Sequence, residues 1–454
     1  MPEERLWFAN ALVAEGWAQD VRLHLSQGRI AKIEIGVAAD VGDSRHEIGL
    51  PGLPNVHSHA FQRGMAGLSE VRGPEGDSFW TWRELMYQFV DRLGPDEIEA
   101  LAAMAFVEML ESGFTRVGEF HYLHHDRDGR PFANLAEMSE RIAAAADATG
   151  IGLTLLPVFY AHSGFGGAPP TSAQRRFLNT VDGYQDLWEA CRLAVSGLPD
   201  ARVGCAPHSL RAVAEDELRQ LTQAITGPVH LHIAEQTAEV EACLAWSGSR
   251  PVDWLLDRFD VDANWCLVHA THVSPEEIHR LAATQAVAGI CPITEANLGD
   301  GVFPAQAYLA AGGALGVGSD SNVRIDAAEE LRLLEYTQRL THRARNVLAG
   351  RPGASTGGEL FRRALAGGRT ALGEPATQGF EAGMAADIVS LSANHPDMVA
   401  RQNDAWIDSW LFAGSSPMVE DVWRFGRKVV MQGRHQARPQ IVARYRAVLA
   451  SVLG

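Results

Sequence analysis

At 454 residues the chain is long enough for one large domain with a smaller companion, and 46% hydrophobic against 21% charged residues is ordinary globular usage that excludes a disordered or fibrous chain. A formal net charge of -17 disfavours nucleic acid or an anionic membrane as partner, since both require a basic face, so an anionic small substrate has to be captured by local arginines. Cys191, Cys205, Cys243, Cys266 and Cys291 are odd in number and lack short paired spacing, which argues against a disulfide framework or a thiolate zinc site and for a reducing cytoplasm.

The N-terminus, Met1-Pro2-Glu3-Glu4-Arg5, lacks the basic-then-apolar pattern of an export signal, and no apolar run approaches a membrane span. Residues 6–8, 21–25 and 30–35 read as short strands punctuated by Gly28 and Gly36, a small β unit. From Gly52 the texture changes, and short apolar runs ending in polar or ionisable residues alternate with helical stretches rich in Ala, Leu and Glu. The runs are 53–59, 116–122, 152–160, 202–209, 229–235, 266–272, 287–292 and 314–319, a β/α alternation that predicts an α/β fold, a (β/α)8 TIM barrel enlarged by insertions. Beyond it, 383–391 and 419–430 read as strands and 440–452 as a last helix. The expected organisation is a barrel at 51–375, with 1–50 and 376–454 forming a small discontinuous β-sandwich domain.

Ionisable residues gather at the downstream ends of these runs, the face where side chains from different barrel strands converge. His57 and His59 are two positions apart and point the same way from an extended strand. His232 is followed at three positions by Glu235; His269 stands alone, and Asp320 lies within Ser319-Asp320-Ser321. Nitrogen and carboxylate ligands around one open position, with an acid/base beside them, are what a zinc-type hydrolase requires. One barrel histidine is more often an ordinary core or surface residue, so the ordered set carries the reading. His124-His125 reads as an exposed polar loop, His230 as a residue below His232, and His272 as part of the mouth. The aromatic group Phe79, Trp80 and Trp82 reads as a lid, a partner contact or packing, and 164–170 as a flexible loop that could cover the site.

Taken together, Pro51-Gly52-Leu53-Pro54-Asn55-Val56-His57-Ser58-His59, His232-x-x-Glu235, Val268-His269-Ala270, Gly318-Ser319-Asp320-Ser321 and Gly383-Met384-Ala385-Ala386-Asp387 resemble the amidohydrolase superfamily, in its mononuclear deaminase branch, over nearly the whole chain. More narrowly, Phe79-Trp80-Thr81-Trp82-Arg83-Glu84, Phe120-His121-Tyr122, Ala206-Pro207-His208-Ser209-Leu210-Arg211 and Thr294-Glu295-Ala296-Asn297-Leu298-Gly299-Asp300 resemble the formimidoylglutamate deiminases of histidine degradation. The resemblance implies His57, His59, His232 and Asp320 as ligands of one divalent ion, zinc first, although iron or nickel accept similar donors. Superfamily members with two bridged metals commonly use a carboxylated barrel lysine, and the only lysines here, Lys32 and Lys428, fall in the small β unit.

The same resemblance implies Glu235 as proton donor to a leaving nitrogen, His269 as hydrogen-bond partner of the attacking hydroxide, and Asp320 as a proton acceptor. Arg83, reaching in from a loop after the first barrel strand, and Arg211 would take substrate carboxylates, with Gln62, Tyr122 and His208 as polar contacts. The implied reaction is hydrolysis of N-formimidoyl-L-glutamate to N-formyl-L-glutamate and ammonia by a cytoplasmic homodimer. A deaminase of guanine or an adenosine derivative would keep the metal set but leave both arginines unexplained. An inactive barrel scaffold predicts lost ligands, yet all of them remain.

Overall fold

Parallel strands alternate with helices to build a closed barrel in the computed structural model, which describes residues 4–73, 76–414 and 417–454. The strands are β1 (Leu53–Ser58), β2 (Phe114–His121), β3 (Gly152–Phe159), β4 in two short pieces (Arg202–Val203 and Ala206–Pro207), β5 (Val229–Ile233), β6 (Trp265–His269), β7 (Val287–Ile290) and β8 (Ala314–Val317). Their residues are buried almost throughout, because helices cover a parallel barrel outside and side chains fill it within; this is why they read as unbroken apolar runs. The ring closes where β4 meets β5, through Cys205 opposite Val229 and Ser209 opposite His232, and where β8 meets β1, through Val317 opposite Asn55 and Ser58 opposite Asp320. Gly318 is required at that second seam: a Cβ there would stand 2.8 Å from the carbonyl oxygen of His57.

Both chain ends contribute to a second, eight-stranded sheet. Glu4–Val13, Gly16–Ser26, Arg29–Glu34 and Ser44–Pro51 join Ile388–Leu391, Val419–Arg424, Arg427–Met431 and Arg434–His435, so the layers of the expected sandwich are hydrogen-bonded into one sheet. Its core draws on both ends, with Leu6, Phe8, Val21 and Leu23 packed with Phe380, Ile388 and Trp423. Two late helices lie on the barrel instead. Asp404–Phe412 packs against the last barrel helix, Thr356–Ala371, and Arg362 reaches Asp404 at 2.5 Å. Arg438–Leu453 packs along Pro95–Ser112, tied by Arg438 to Glu111 and Arg444 to Glu99.

A buried ionic cluster fastens the small sheet to the base of the barrel. Asp200 accepts from Arg116, at the start of β2, and from Arg424 of the sheet; Arg424 also reaches Asp387 at 3.1 Å. Glu374 meets Arg116 at 3.4 Å and Arg202 and Arg369 at 3.3 Å. Burial alone would raise the Asp200 carboxyl, but Arg116 and Arg424 outweigh it and hold it below the usual range. All five cysteines are free and buried. Among the described residues no helix is long and apolar enough to cross a membrane. Met1, Pro2 and Glu3, on which the expected lack of an export signal partly rests, lie outside the described residues.

Candidate active site

At the downstream rim of the barrel, His57 and His59 leave β1, His232 leaves β5 and Asp320 follows β8. Their donor atoms converge. His57 Nε2 lies 3.2 Å from His59 Nε2 and 3.0 Å from His232 Nε2, and Asp320 Oδ1 stands 3.5 and 3.3 Å from the Nε2 atoms of His57 and His59. The far side of two rings is fixed: His59 Nδ1–H donates to the Phe120 carbonyl and His232 Nδ1–H to the His208 carbonyl, both at 2.8 Å. Those donations leave the Nε2 lone pairs pointing at one another. Burial, before the neighbouring imidazoles, pushes His57 and His232 well below the usual histidine value, so neither carries a proton to separate them. Facing lone pairs at about 3 Å repel unless a cation stands between them, and three neutral imidazoles with a carboxylate are a donor set that fits a divalent metal.

The seam between β1 and β8 holds this set in place. Asn55 Nδ2 donates to Ser319 Oγ at 2.6 Å, Ser319 Oγ to Asn322 Oδ1 at 2.6 Å, and Asn322 Nδ2 to Ser58 Oγ at 3.1 Å. Main-chain bonds run His59 N–H to Asp320 O at 2.8 Å and Asp320 N–H to His57 O at 2.9 Å. Behind His59, Glu119 accepts from Ala60 N–H at 2.7 Å, and burial pushes its carboxyl up to about 8. Several non-glycine residues at the rim adopt left-handed backbone: Ala234 (φ 50), His269 (69), Ala270 (48) and Asp320 (44). Such conformations are costly for L-residues and cluster at functional sites.

Glu235 and His269 stand beside the convergent set. His269 Nε2 lies 3.8 Å from both Glu235 Oε1 and Asp320 Oδ2, while its Nδ1 lies 3.2 Å from Glu295 Oε1. Burial would lower His269, but the carboxylates of Glu235, Glu295 and Asp320 overcome it and lift the ring to about 10. Burial raises Glu235 to about 7, toward the range in which a carboxyl can give up and take back a proton near neutral pH. Asp300, bonded by the Gln236 side chain, is likewise raised by burial, to about 8.

The cavity above these groups is lined at its other end by Arg83, Arg211, Tyr87, Tyr122, Tyr160, His208 and Gln62. Arg211 is 9% exposed, its Nε has no partner, and among the described residues no carboxylate lies within ion-pair reach of Arg83 or Arg211. Both guanidinium groups instead face the Trp80 ring, at 5.2 Å for Arg83 and 5.7 Å for Arg211. Gln62 Nε2 donates to Tyr122 Oη at 2.8 Å, and His208 packs on Tyr160 with centroids 4.8 Å apart. One end of the cavity is therefore acidic and suits a cationic group, and the other is cationic with unpaired arginines.

Every residue named from sequence for metal, proton transfer or substrate contact lines this cavity, apart from His57, which lies beneath it against His59 and His232. Arg83 reaches it from a helix, Phe79–Val90, capped by Ser78, rather than from a loop. His124 and His125 are buried, not exposed: their Nε2 atoms meet the carbonyls of Val158 at 2.8 Å and Leu178 at 2.7 Å. Residues 164–170 do not line the cavity; Phe165 stacks on Trp246 with centroids 5.5 Å apart. Phe79 and Trp82 do line it. Missed were Met86, Tyr87, Tyr160, Phe177 and Leu298, which look like ordinary core residues in sequence, and Glu295, hidden behind His269.

The amidohydrolase family profile matches residues 48–429, and the N-terminal domain of formimidoylglutamate deiminase HutF matches residues 6–47. The chain is 49% identical over 446 residues, 98% of each chain, to formimidoylglutamate deiminase of Pseudomonas aeruginosa. It is 28% identical over 422 residues to 8-oxoguanine deaminase of the same species, covering 87% of this chain and 89% of that one. A crystal structure of an amidohydrolase from Brucella melitensis superimposes with a TM-score of 0.96 at 53% identity, over 99% of this chain and 100% of that chain.

Proposed function

The chain belongs to the amidohydrolase family, and from that premise we propose that it hydrolyses N-formimidoyl-L-glutamate to N-formyl-L-glutamate and ammonia. It is a hydrolase acting on a C–N bond. The observation that carries the substrate is the pair of arginines without an ion-pair partner, Arg83 and Arg211, facing the same cavity as Glu235 and Asp320. A dicarboxylate with a cationic amidine complements both ends. The 49% identical deiminase supports the same reading, and two arginines awaiting anions have no partner on a neutral heterocycle.

In this proposal His57, His59, His232 and Asp320 hold one divalent ion, zinc, which supplies Lewis-acid activation of the attacking water. Arg83 and Arg211 bind the carboxylates and place the formimidoyl carbon over that set, with Gln62, Tyr122 and His208 shaping the cavity between. Asp320 takes a proton from water through Oδ2, and His269 Nε2–H donates to the incoming oxygen. Glu235 delivers a proton to the amidine nitrogen, so the C–N bond breaks to ammonia while the carbon keeps the new oxygen. Atoms balance: amidine plus water gives amide plus ammonia. We further propose that the protein works as a homodimer in the reducing cytoplasm, in keeping with its free cysteines.

The test is ammonia release from N-formimidoyl-L-glutamate beside guanine and adenosine, with the products weighed by mass spectrometry. N-Formylglutamate from the first alone is the expected result. Turnover of a heterocycle without it, or glutamate plus formamide as products, overturns the assignment.

A further inference from the structure

Glu295 is a buried acid to which the mechanism above gives no task. It lies in the first turn of the helix Pro292–Leu298 that follows β7, and it is 4% exposed. A single oxygen, Oε1, receives two donors: Cys291 N–H at 2.8 Å and His269 Nδ1–H at 3.2 Å. Capping the helix start would need only the Cys291 contact. The second contact goes to the ring whose opposite nitrogen faces Glu235 and Asp320.

We propose that Glu295 is a positioning residue for the deimination: by holding the Nδ1 proton of His269 it fixes the ring orientation and keeps Nε2 directed at the reacting centre. A ring left free to turn presents Nε2 to the reacting centre only part of the time, and a carboxylate holding Nδ1–H behind it removes that freedom. The left-handed backbone of His269 (φ 69) makes the restraint more necessary, since the strand ends there and main-chain pairing does not orient the side chain beyond it. Carboxylate chemistry matters more than shape. A glutamine in the same place has one oxygen for Cys291 N–H and turns its NH2 toward Nδ1, so the Nδ1 proton loses its acceptor and the ring its anchor.

The proposal rests on the deiminase reading for its rate measurement but not for its spectroscopic one. In zinc-loaded enzyme labelled with 15N-histidine, the His269 Nδ1–H resonance, assigned by its loss in His269→Gln, should be present in the wild type and absent in Glu295→Gln. With N-formimidoyl-L-glutamate as substrate, Glu295→Gln should lower kcat about 10–100-fold with KM and zinc content unchanged, the range typical of groups bonded behind metal-site histidines. Persistence of the resonance in Glu295→Gln, or an unchanged kcat, overturns the proposal. Should Glu295→Gln fail to fold, the wild-type spectrum alone decides, because a missing Nδ1–H signal refutes the bond. If the wild type releases no ammonia from formimidoylglutamate while the resonance behaves as expected, the substrate assignment falls and the orienting role stands.

Discussion

Replacing Arg211 by methionine separates what the residue does for the substrate from what it does for the fold. In the free protein its guanidinium is buried to 9% exposure with Nε unpartnered and, among the described residues, no acid within ion-pair reach. Losing one partner of a desolvated, hydrogen-bonded charge pair costs about 2–5 kcal/mol. At about 1.4 kcal/mol per decade, kcat/KM for N-formimidoyl-L-glutamate should fall by a factor between about 30 and several thousand. Methionine keeps the length and volume of the stem, and because attraction from Glu239 and Glu235 offsets the burial of the guanidinium, the free protein's stability should change by no more than about 1 kcal/mol. Steady-state ammonia release gives the first quantity and thermal unfolding without substrate the second. An unchanged kcat/KM would show that Arg211 does not read the substrate's charge, and a melting temperature lowered well beyond that range would refute the argument that the residue serves the substrate rather than the fold.

The other expectations concern separate parts of the molecule. Glu235→Gln should reduce kcat by about 10²–10⁴-fold with little change in KM, as expected for loss of a general acid; full turnover removes it from the mechanism. Stripping the metal with dipicolinate should abolish ammonia release and lower the melting temperature, with both restored by zinc, whereas a melting temperature indifferent to metal argues against ligation by His57, His59, His232 and Asp320. His121 is fully buried, and burial lowers it from 6.5 to about 4. The unfolded chain therefore binds the extra proton between those values, so stability is present above pH 6.5 and declines as pH falls toward 4, by about 3 kcal/mol from this ring alone. His121→Phe should flatten that limb in urea titrations, and an identical slope counts against the assignment. Finally, Arg424→Met leaves Asp200 and Asp387 short of a buried partner and should cost about 3–5 kcal/mol, read as a lower melting temperature with kcat intact.

How far the sequence announces this structure depends on how local each signal is. His57 and His59 are legible because a strand places alternate residues on one face, and Glu235 and Asp320 because barrel strands end in the polar residues of the rim. His124 and His125 mislead, since adjacent polar residues suggest solvent, while the carbonyls of Val158 and Leu178 that absorb them come from distant segments. The ionic cluster at the barrel base is invisible for the same reason: Asp200 is 84 residues from Arg116 and 224 from Arg424. Arg83 could be named, but its helix could not, because Phe79, Trp80 and Trp82 form no simple apolar stripe and partly face the cavity. Glu295 lies in a stretch that resembles the deiminases, yet only the fold reveals that it backs onto His269.

The left-handed turns at Ala234, His269, Ala270 and Asp320 bear on how such a protein can change. At Ala234 and Ala270 a glycine would occupy the same backbone without the Cβ penalty of about 1–2 kcal/mol, but it would give up a buried methyl and add about 0.5–1 kcal/mol of chain entropy, so glycine variants gain little. They are also variants in which the bends that aim Glu235 and His269 loosen. Glycine at either turn would therefore leave heat tolerance nearly unchanged while aiming the acid and the imidazole less well, so the alanines serve the site rather than the fold.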